Sequence, residues 1–306
     1  MNFPGYFKDN ILPEKIHTLN VSFFIKELRE SFGGTAGNIA YNLALLDQRP
    51  TILGNVGSKD FSTYKNWFRR HKIDLSQIKI LPNQQTASAY IITDQADNQI
   101  AGFFPGAMAT PVNSKLEIRN LPAGRQGLKF DLAIVSPQNP IDMVKLPQIF
   151  KAKKVPYIFD PGQQVASLSG PQLRSAIFGS QVLIGNDYEI SLITKKTGWS
   201  VQRVLKKTQV LITTLGEKGS LIRTANKTYK IPPAKPTRAL DPTGAGDAYR
   251  AGLIYGLLHD WPWEKIGRLA GLVSVYTVEM YGTQTHKFSW ADLAKRYRQN
   301  FGEDLV

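Results

Sequence analysis

The chain has 306 residues, 42% of them hydrophobic, with 25 Gly and 18 Pro, which suits one large α/β domain or two smaller ones. Cysteine is absent, which excludes disulfides, thiolate catalysis and Cys-based zinc sites. The formal charge of +14 is spread over segments such as KAKK (151–154) and LKKT (205–208), so it predicts a solvated basic surface with no specific nucleic-acid partner, attraction of polyanionic substrates staying open.

The opening stretch MNFPGYFKDN lacks the basic end and apolar run of a signal peptide, and no run of about 18 apolar residues follows, so the chain reads as cytoplasmic with no membrane partner. The Phe-rich LNVSFFI (19–25) is expected to be extended. FGGTAGNIAYNLALL (32–46) places Gly33 and Gly34 before a helix carrying Asn38 and Asn42 one turn apart. Asparagine amides suit sugar hydroxyls, whereas the two glycines also suit a plain helix-entry turn. TILGNVG (51–57) is expected to join the main sheet, followed by a helix over FSTYKNWFRRH.

Residues 86–105 read as an antiparallel hairpin around the polar turn DQADN, and with LNVSFFI they predict a small sheet outside the main one, a candidate lid. NLPAGRQGLKFD (120–131) reads as a loop insertion. From about residue 130 the short β-branched runs LAIVS, PYIFD, VLIGN and QVLITTL alternate with helical spacing, the pattern of a mainly parallel sheet covered on both faces. GNDYE (185–189) ends one of these strands with Asn186 and Glu189, and TTLGEKGS (213–220) ends another with Thr214, Gly216 and Gly219. Strand ends of open α/β sheets are where ligands bind, although Asn186 also suits a helix cap and the two glycines a hairpin turn.

ALDPTGAGDAYRAGLIYGL (239–257) carries the most chemistry. Asp241, Thr243, the glycine-rich Gly244-Ala245-Gly246 and Asp247 fall within seven positions at the start of a helix. Such a start attracts anions through free N–H groups, yet capping needs one small polar residue and no second acid. Phosphoryl transfer uses both, because the transferred group needs donors while the attacking hydroxyl needs a base. The plain alternative is an acid placed at a helix start. Further along, Ala248, Gly252 and Gly256 form a small-residue stripe that predicts close helix packing. The P-loop and dinucleotide-binding signatures are both missing, and His17, His71, His259 and His286 lack metal-ligand spacing.

In order, GGTAGN, NDYE, TLGEKG and DPTGAGD resemble the ribokinase-like (pfkB) family of carbohydrate and nucleoside kinases, and DNQI, PGAM, FDPGQ and GTQTH are most similar to its adenosine-kinase-like branch. The resemblance spans nearly the whole chain. It implies a three-layer α/β/α sandwich over residues 1–306 as a single domain, with lid segments near 7–30 and 82–106. It makes Asp247 the base and the N–H groups of Gly244, Ala245 and Gly246 the anion hole. Asn186 and Glu189 would organise Mg²⁺, reached through water, and Thr214, Gly216 and Gly219 would line the ATP site. Gly33, Gly34 and Asn38 would face the sugar, with Asn98 and Gln99 near the substrate. Family members begin with a strand ending in Gly and Asp just before a segment like FPGYF, so the resemblance leads us to expect the first strand and its carboxylate to be missing from the sequence as given, either because the true start lies upstream or because this form has lost them.

The function expected is transfer of phosphate from ATP to a primary hydroxyl of a ribose-containing compound, foremost the 5′-hydroxyl of adenosine or another purine nucleoside. A free sugar or sugar phosphate is the alternative acceptor within the family. A catalytically weak nucleotide-binding protein is the alternative of a different class. A monovalent cation and a homodimer formed through the lid stay open.

Overall fold

The computed structural model describes residues 1–96, 98–112 and 130–305. Most of the expected insertion at 120–131 therefore lies outside the described residues. Helix α1 (Thr35–Leu45) leads to strand β1 (Gly54–Gly57), helix α2 (Phe61–Arg70) and strand β2 (Ile78–Leu81), which pairs in parallel with β1. The hairpin follows as expected: β3 (Ser88–Thr93) runs antiparallel to β4 (Gln99–Phe104), with Ser88 opposite Phe104 and Thr93 opposite Gln99.

LNVSFFI corrects one expectation. It forms no strand, and the hairpin is extended instead by Met1–Phe3, whose backbone bonds Thr93 on one side and Lys26 and Glu27 on the other. Phe23 packs against Phe3 and Phe7, with ring centroids 4.9 and 5.0 Å away, so its bulk serves an aromatic cluster where a ladder was expected.

Strands β5 (Ala133–Val135), β6 (Tyr157–Phe159), β7 (Val182–Asn186) and β8 (Val210–Thr214) lie side by side in parallel, β9 (Ser220–Arg223) runs antiparallel to β8, and β10 (Thr228–Ile231), antiparallel to β9, completes the six-stranded sheet. The uninterrupted apolar runs follow from burial on both faces. Val182, Ile184, Val210 and Ile212 point to one core, shared with α1, α7 (Ala245–Leu258), α8 (Trp263–Val278) and α9 (Trp290–Phe301). The alternate residues Leu183 and Leu211 point to the other, shared with α3 (Pro140–Ala152), α4 (Gly170–Ile177), α5 (Asp187–Thr197) and α6 (Val201–Leu205). The strand period of two thus builds three layers. The stripe on α7 packs as expected: a Cβ on Gly252 would sit 2.6 Å from Cα of Ala270 in α8.

TILGNVG does not join the six-stranded sheet. Among the described residues β1 and β2 form a separate two-stranded sheet, because no strand bonds the second edge of β1 or of β5. Residues of both edges, Gly54, Asn55 and Val56 from β1 with Ala133 and Ile134 from β5, line one cavity of about 3910 Å³. That cavity continues to the ends of β6, β7 and β8 and to the start of α7, where the chemistry-bearing residues gather.

Candidate active site

The start of α7 is built by a tight turn. Gly244 has φ +81°, a left-handed conformation, and a Cβ there would lie 2.8 Å from Cγ2 of Thr283, so only glycine fits. Asp241 holds the turn by accepting the Thr243 N–H at 2.9 Å, and its other oxygen accepts the Gly282 N–H at 3.2 Å. The Ala245 N–H closes on the carbonyl of Pro242 at 3.1 Å, while Ser274 Oγ donates to the Ala245 carbonyl at 2.8 Å. This corrects the expected anion hole. Ala245 has spent its donor, whereas the N–H groups of Gly244 and Gly246, and of Asp247 itself, have no protein acceptor among the described residues. A helix start keeps such donors for a ligand.

Asp247 is half-buried on the wall of the cavity. Burial pushes its carboxyl up to about 6, opposed by the hydrogen bond that Asn38 Nδ2 donates to Oδ2 at 2.7 Å and by the charge of Arg250. A carboxylate of that basicity is ionised at neutral pH and still close enough to 7 to take a proton from an alcohol in flight.

Gly33, Gly34, Asn38, Gln99, Asn186, Glu189, Thr214, Gly216, Gly244, Gly246 and Asp247 all line the same cavity. Three expected residues do not. Ala245 turns its carbonyl and N–H inward, as above. Gly219 stands in the β8–β9 turn, where its carbonyl accepts the Leu215 N–H and a Cβ would collide with the Ile231 carbonyl. Asn98 folds back within the β3–β4 turn to donate to both carboxylate oxygens of Asp94 at 3.2 and 3.1 Å. Asn42 is fully buried, donating to the Asn38 carbonyl at 2.9 Å and bonded to His286 Nε2 at 2.8 Å.

Asn186 and Glu189 form a reciprocal cap at the start of α5: the Glu189 N–H donates to Asn186 Oδ1 at 2.7 Å, and the Asn186 N–H to Glu189 Oε2 at 2.8 Å. Among the described residues no hydrogen bond reaches Glu189 Oε1, on a carboxyl whose pKa burial raises. Mg²⁺ takes one or two carboxylates with substrate phosphates and keeps several waters, so this donor set fits it with Glu189 as the protein contribution. Among the described residues no three acids or histidines cluster into a dedicated metal cage.

Comparison with known proteins gives the family. The model of the pfkB family carbohydrate kinases matches residues 9–290. The chain belongs to the pfkB family. The nucleoside kinase of Burkholderia thailandensis, solved in complex with inosine, superposes with a TM-score of 0.88 at 36% identity, covering 99% of this chain and 95% of that one. The nucleoside kinase of Methanocaldococcus jannaschii is 29% identical over 294 residues, 94% of this chain and 92% of its own. The ribokinase of Haemophilus influenzae is 24% identical over 289 residues, 88% and 90% of the two chains. This pfkB chain is accordingly an ATP-dependent carbohydrate or nucleoside kinase on the ribokinase fold.

Two features of this pfkB site escape sequence reasoning. Arg250, one turn beyond Asp247, makes a bidentate pair with Asp160 at the end of β6, Nε to Oδ2 at 2.9 Å and the terminal nitrogen to Oδ1 at 2.7 Å. The two residues are 6% and 2% exposed. Arg250 also donates to the Gly246 carbonyl at 3.2 Å, and its charge bears on Asp247 and Glu189 alike. The available signal was an arginine within the otherwise apolar AYRAGLIYGL. The second feature is the ring of amides and hydroxyls behind Asn38, whose members in GTQTH (282–286) entered the sequence reading only as part of the resemblance, with no role attached.

Proposed function

We propose that the chain transfers the γ-phosphoryl group of ATP to the 5′-hydroxyl of a purine nucleoside. The observation that carries this reading is the Asp247 carboxylate, held by Asn38 Nδ2 at 2.7 Å beside the N–H groups of Gly244 and Gly246, which have no protein acceptor among the described residues. The inosine complex named for the Burkholderia kinase supports a purine nucleoside as acceptor.

Asp247 accepts the proton of the attacking hydroxyl as the oxygen closes on phosphorus, and the helix-start donors meet the charge on the transferred oxygens. Asn38 orients the base and the Gly33–Gly34 turn borders the acceptor. Thr214 and Gly216 face the nucleotide, where Mg²⁺, held through water by Glu189, would offset triphosphate charge. Residues 1–306 act as one kinase unit, and the 82–106 hairpin with the 7–30 segment closes over the cavity to keep water from competing for the phosphoryl group. No helix among the described residues is long and apolar enough to cross a membrane.

An acceptor panel tests the reading. With ATP and Mg²⁺, kcat/KM for adenosine or inosine should exceed that for ribose, fructose and fructose 6-phosphate by at least tenfold. A reversed order would assign the chain to sugars, and ATP binding without transfer to any acceptor would favour the weak binding protein.

The hairpin also supports self-association. Tyr90, opposite Gly102, shares one face of the hairpin with Ile100 and Phe104, Phe103 stands on the other face, and all four are exposed, Tyr90 and Phe103 at 57%. Such an apolar edge calls for a cover. Sedimentation equilibrium should give a dimer that Phe103→Glu converts to monomer; a wild-type monomer at all concentrations would dismiss the interface.

A further inference from the structure

We propose that Gln284 is a positioning residue for the base, fixing through Asn38 which atom of that amide faces Asp247. The inference rests on Asp247 being the base. It follows from the direction of each hydrogen bond in a chain of groups along the cavity wall.

The chain begins at Trp67 on α2, whose indole N–H can only donate. It donates to Gln284 Oε1 at 2.9 Å, so the other end of the amide, Nε2, must turn the opposite way. Nε2 then donates to Asn38 Oδ1 at 2.9 Å and to the Tyr64 hydroxyl at 2.6 Å, and that hydroxyl passes its own proton to the Gly33 carbonyl at 2.7 Å. Thr283 Oγ1 supplies a second contact to Asn38 Oδ1 at 2.8 Å. With Oδ1 so occupied, Asn38 can present only its NH₂ to Asp247, at 2.7 Å. Gln284 and Asn38 are both buried, so water cannot readily replace a lost donor. The same amide thus links the base to the backbone of the Gly33–Gly34 turn, where the acceptor is proposed to lie.

If Gln284 loses its donor, Asn38 Oδ1 keeps only Thr283 Oγ1, whose single proton also reaches the Phe32 carbonyl at 3.0 Å, and the amide is held less firmly against turning. Its oxygen would then face the Asp247 carboxylate, acceptor against acceptor, which favours the protonated acid. The other ionisable groups facing Asp247 are Arg250 on its own helix, Asp160 at the end of β6 and Tyr64 on α2, with Glu189 beyond Arg250; Gln284→Met changes no charge and takes from Tyr64 only the donor that Gln284 supplies, whereas Gln284→Glu also adds a carboxylate.

The test compares wild type, Gln284→Glu, Gln284→Met and Asp247→Asn, recording kcat/KM against pH for the best acceptor, ATP affinity and thermal melts. Gln284→Glu has only acceptors to offer when ionised, and should move the acid limb of the profile upward by about one pH unit. Gln284→Met, neutral and of similar length, should move it the same way by less. ATP affinity should stay within twofold of wild type. A variant that folds and leaves the limb where wild type has it overturns the inference; if one variant does not fold, the other decides. Should Asp247→Asn retain full turnover, the assignment of the base fails, and that outcome is separate from an unmoved limb in an enzyme that Asp247→Asn inactivates.

Discussion

Asp247→Asn is expected to cut turnover by about 10²–10⁴-fold while leaving ATP binding in place. The substitution keeps the volume and an oxygen for the Asn38 NH₂, so the loss isolates proton acceptance. Stability should move in the opposite direction. Burial raises the folded-state pKa of Asp247 from 3.8 to about 6. The folded protein therefore holds that proton more tightly than the unfolded chain. The contribution is complete below about pH 4, and is lost as pH rises toward 6. Asparagine never ionises, so above pH 6 the variant should be more stable than wild type by roughly 1–3 kcal/mol, and the gap should shrink to nothing near pH 4. Urea melts at a series of pH values measure it. A variant that is inactive but no more stable at pH 7.5 would mean that the carboxylate is not strained by burial. Wild-type kcat/KM should fall on the acid side through about pH 6, and a limb near pH 4 would contradict the raised pKa.

Such a trade of stability for function is consistent with how the site could be read before its structure. GAGD announced itself because a second acid beside a bare helix start has no local use, so its cost had to be met by chemistry. The parallel strands were legible for a different reason. VLIGN and QVLITTL are apolar on both faces, and only a doubly covered sheet asks for that. TILGNVG and LNVSFFI misled because a strand is defined by its partner: both have the composition, but among the described residues the strand in TILGNVG pairs with β2 and not with the six-stranded sheet, and in LNVSFFI Phe23 went to an aromatic cluster. The donors at the start of α7 were legible as a group and not one by one, since the Ala245 N–H is used by Pro242 through a turn whose geometry no composition reveals. Least legible was the amide chain. Asn38 and Asp247 are 209 positions apart, and Asn38 and Gln284 246, so their contact exists only after the fold brings α1, α2 and α7 together with the 282–286 segment.

Arg250→Met is the other substitution expected to have a large effect, first on stability and then on turnover. It strands the Asp160 carboxylate, 2% exposed, without its bidentate partner. Breaking one side of a buried pair costs about 3–5 kcal/mol. Asp160→Leu should cost a similar amount by stranding the guanidinium. The double variant, Arg250→Met with Asp160→Leu, removes both charges and should recover most of the loss, because two apolar side chains can replace a buried pair at little net cost. Activity should not recover with it. Arg250 also ties down the carbonyl of Gly246, the residue whose N–H faces the cavity, and its charge holds the Asp247 and Glu189 carboxyls below where burial alone would put them. The double variant should therefore melt near wild type yet turn over at least tenfold more slowly at pH 7. Thermal melts and kcat measured on the same samples separate the two roles. If turnover returns along with stability, the pair only supports the fold; if stability returns alone, Arg250 belongs to the electrostatics that keep an acid working inside an anion-binding turn.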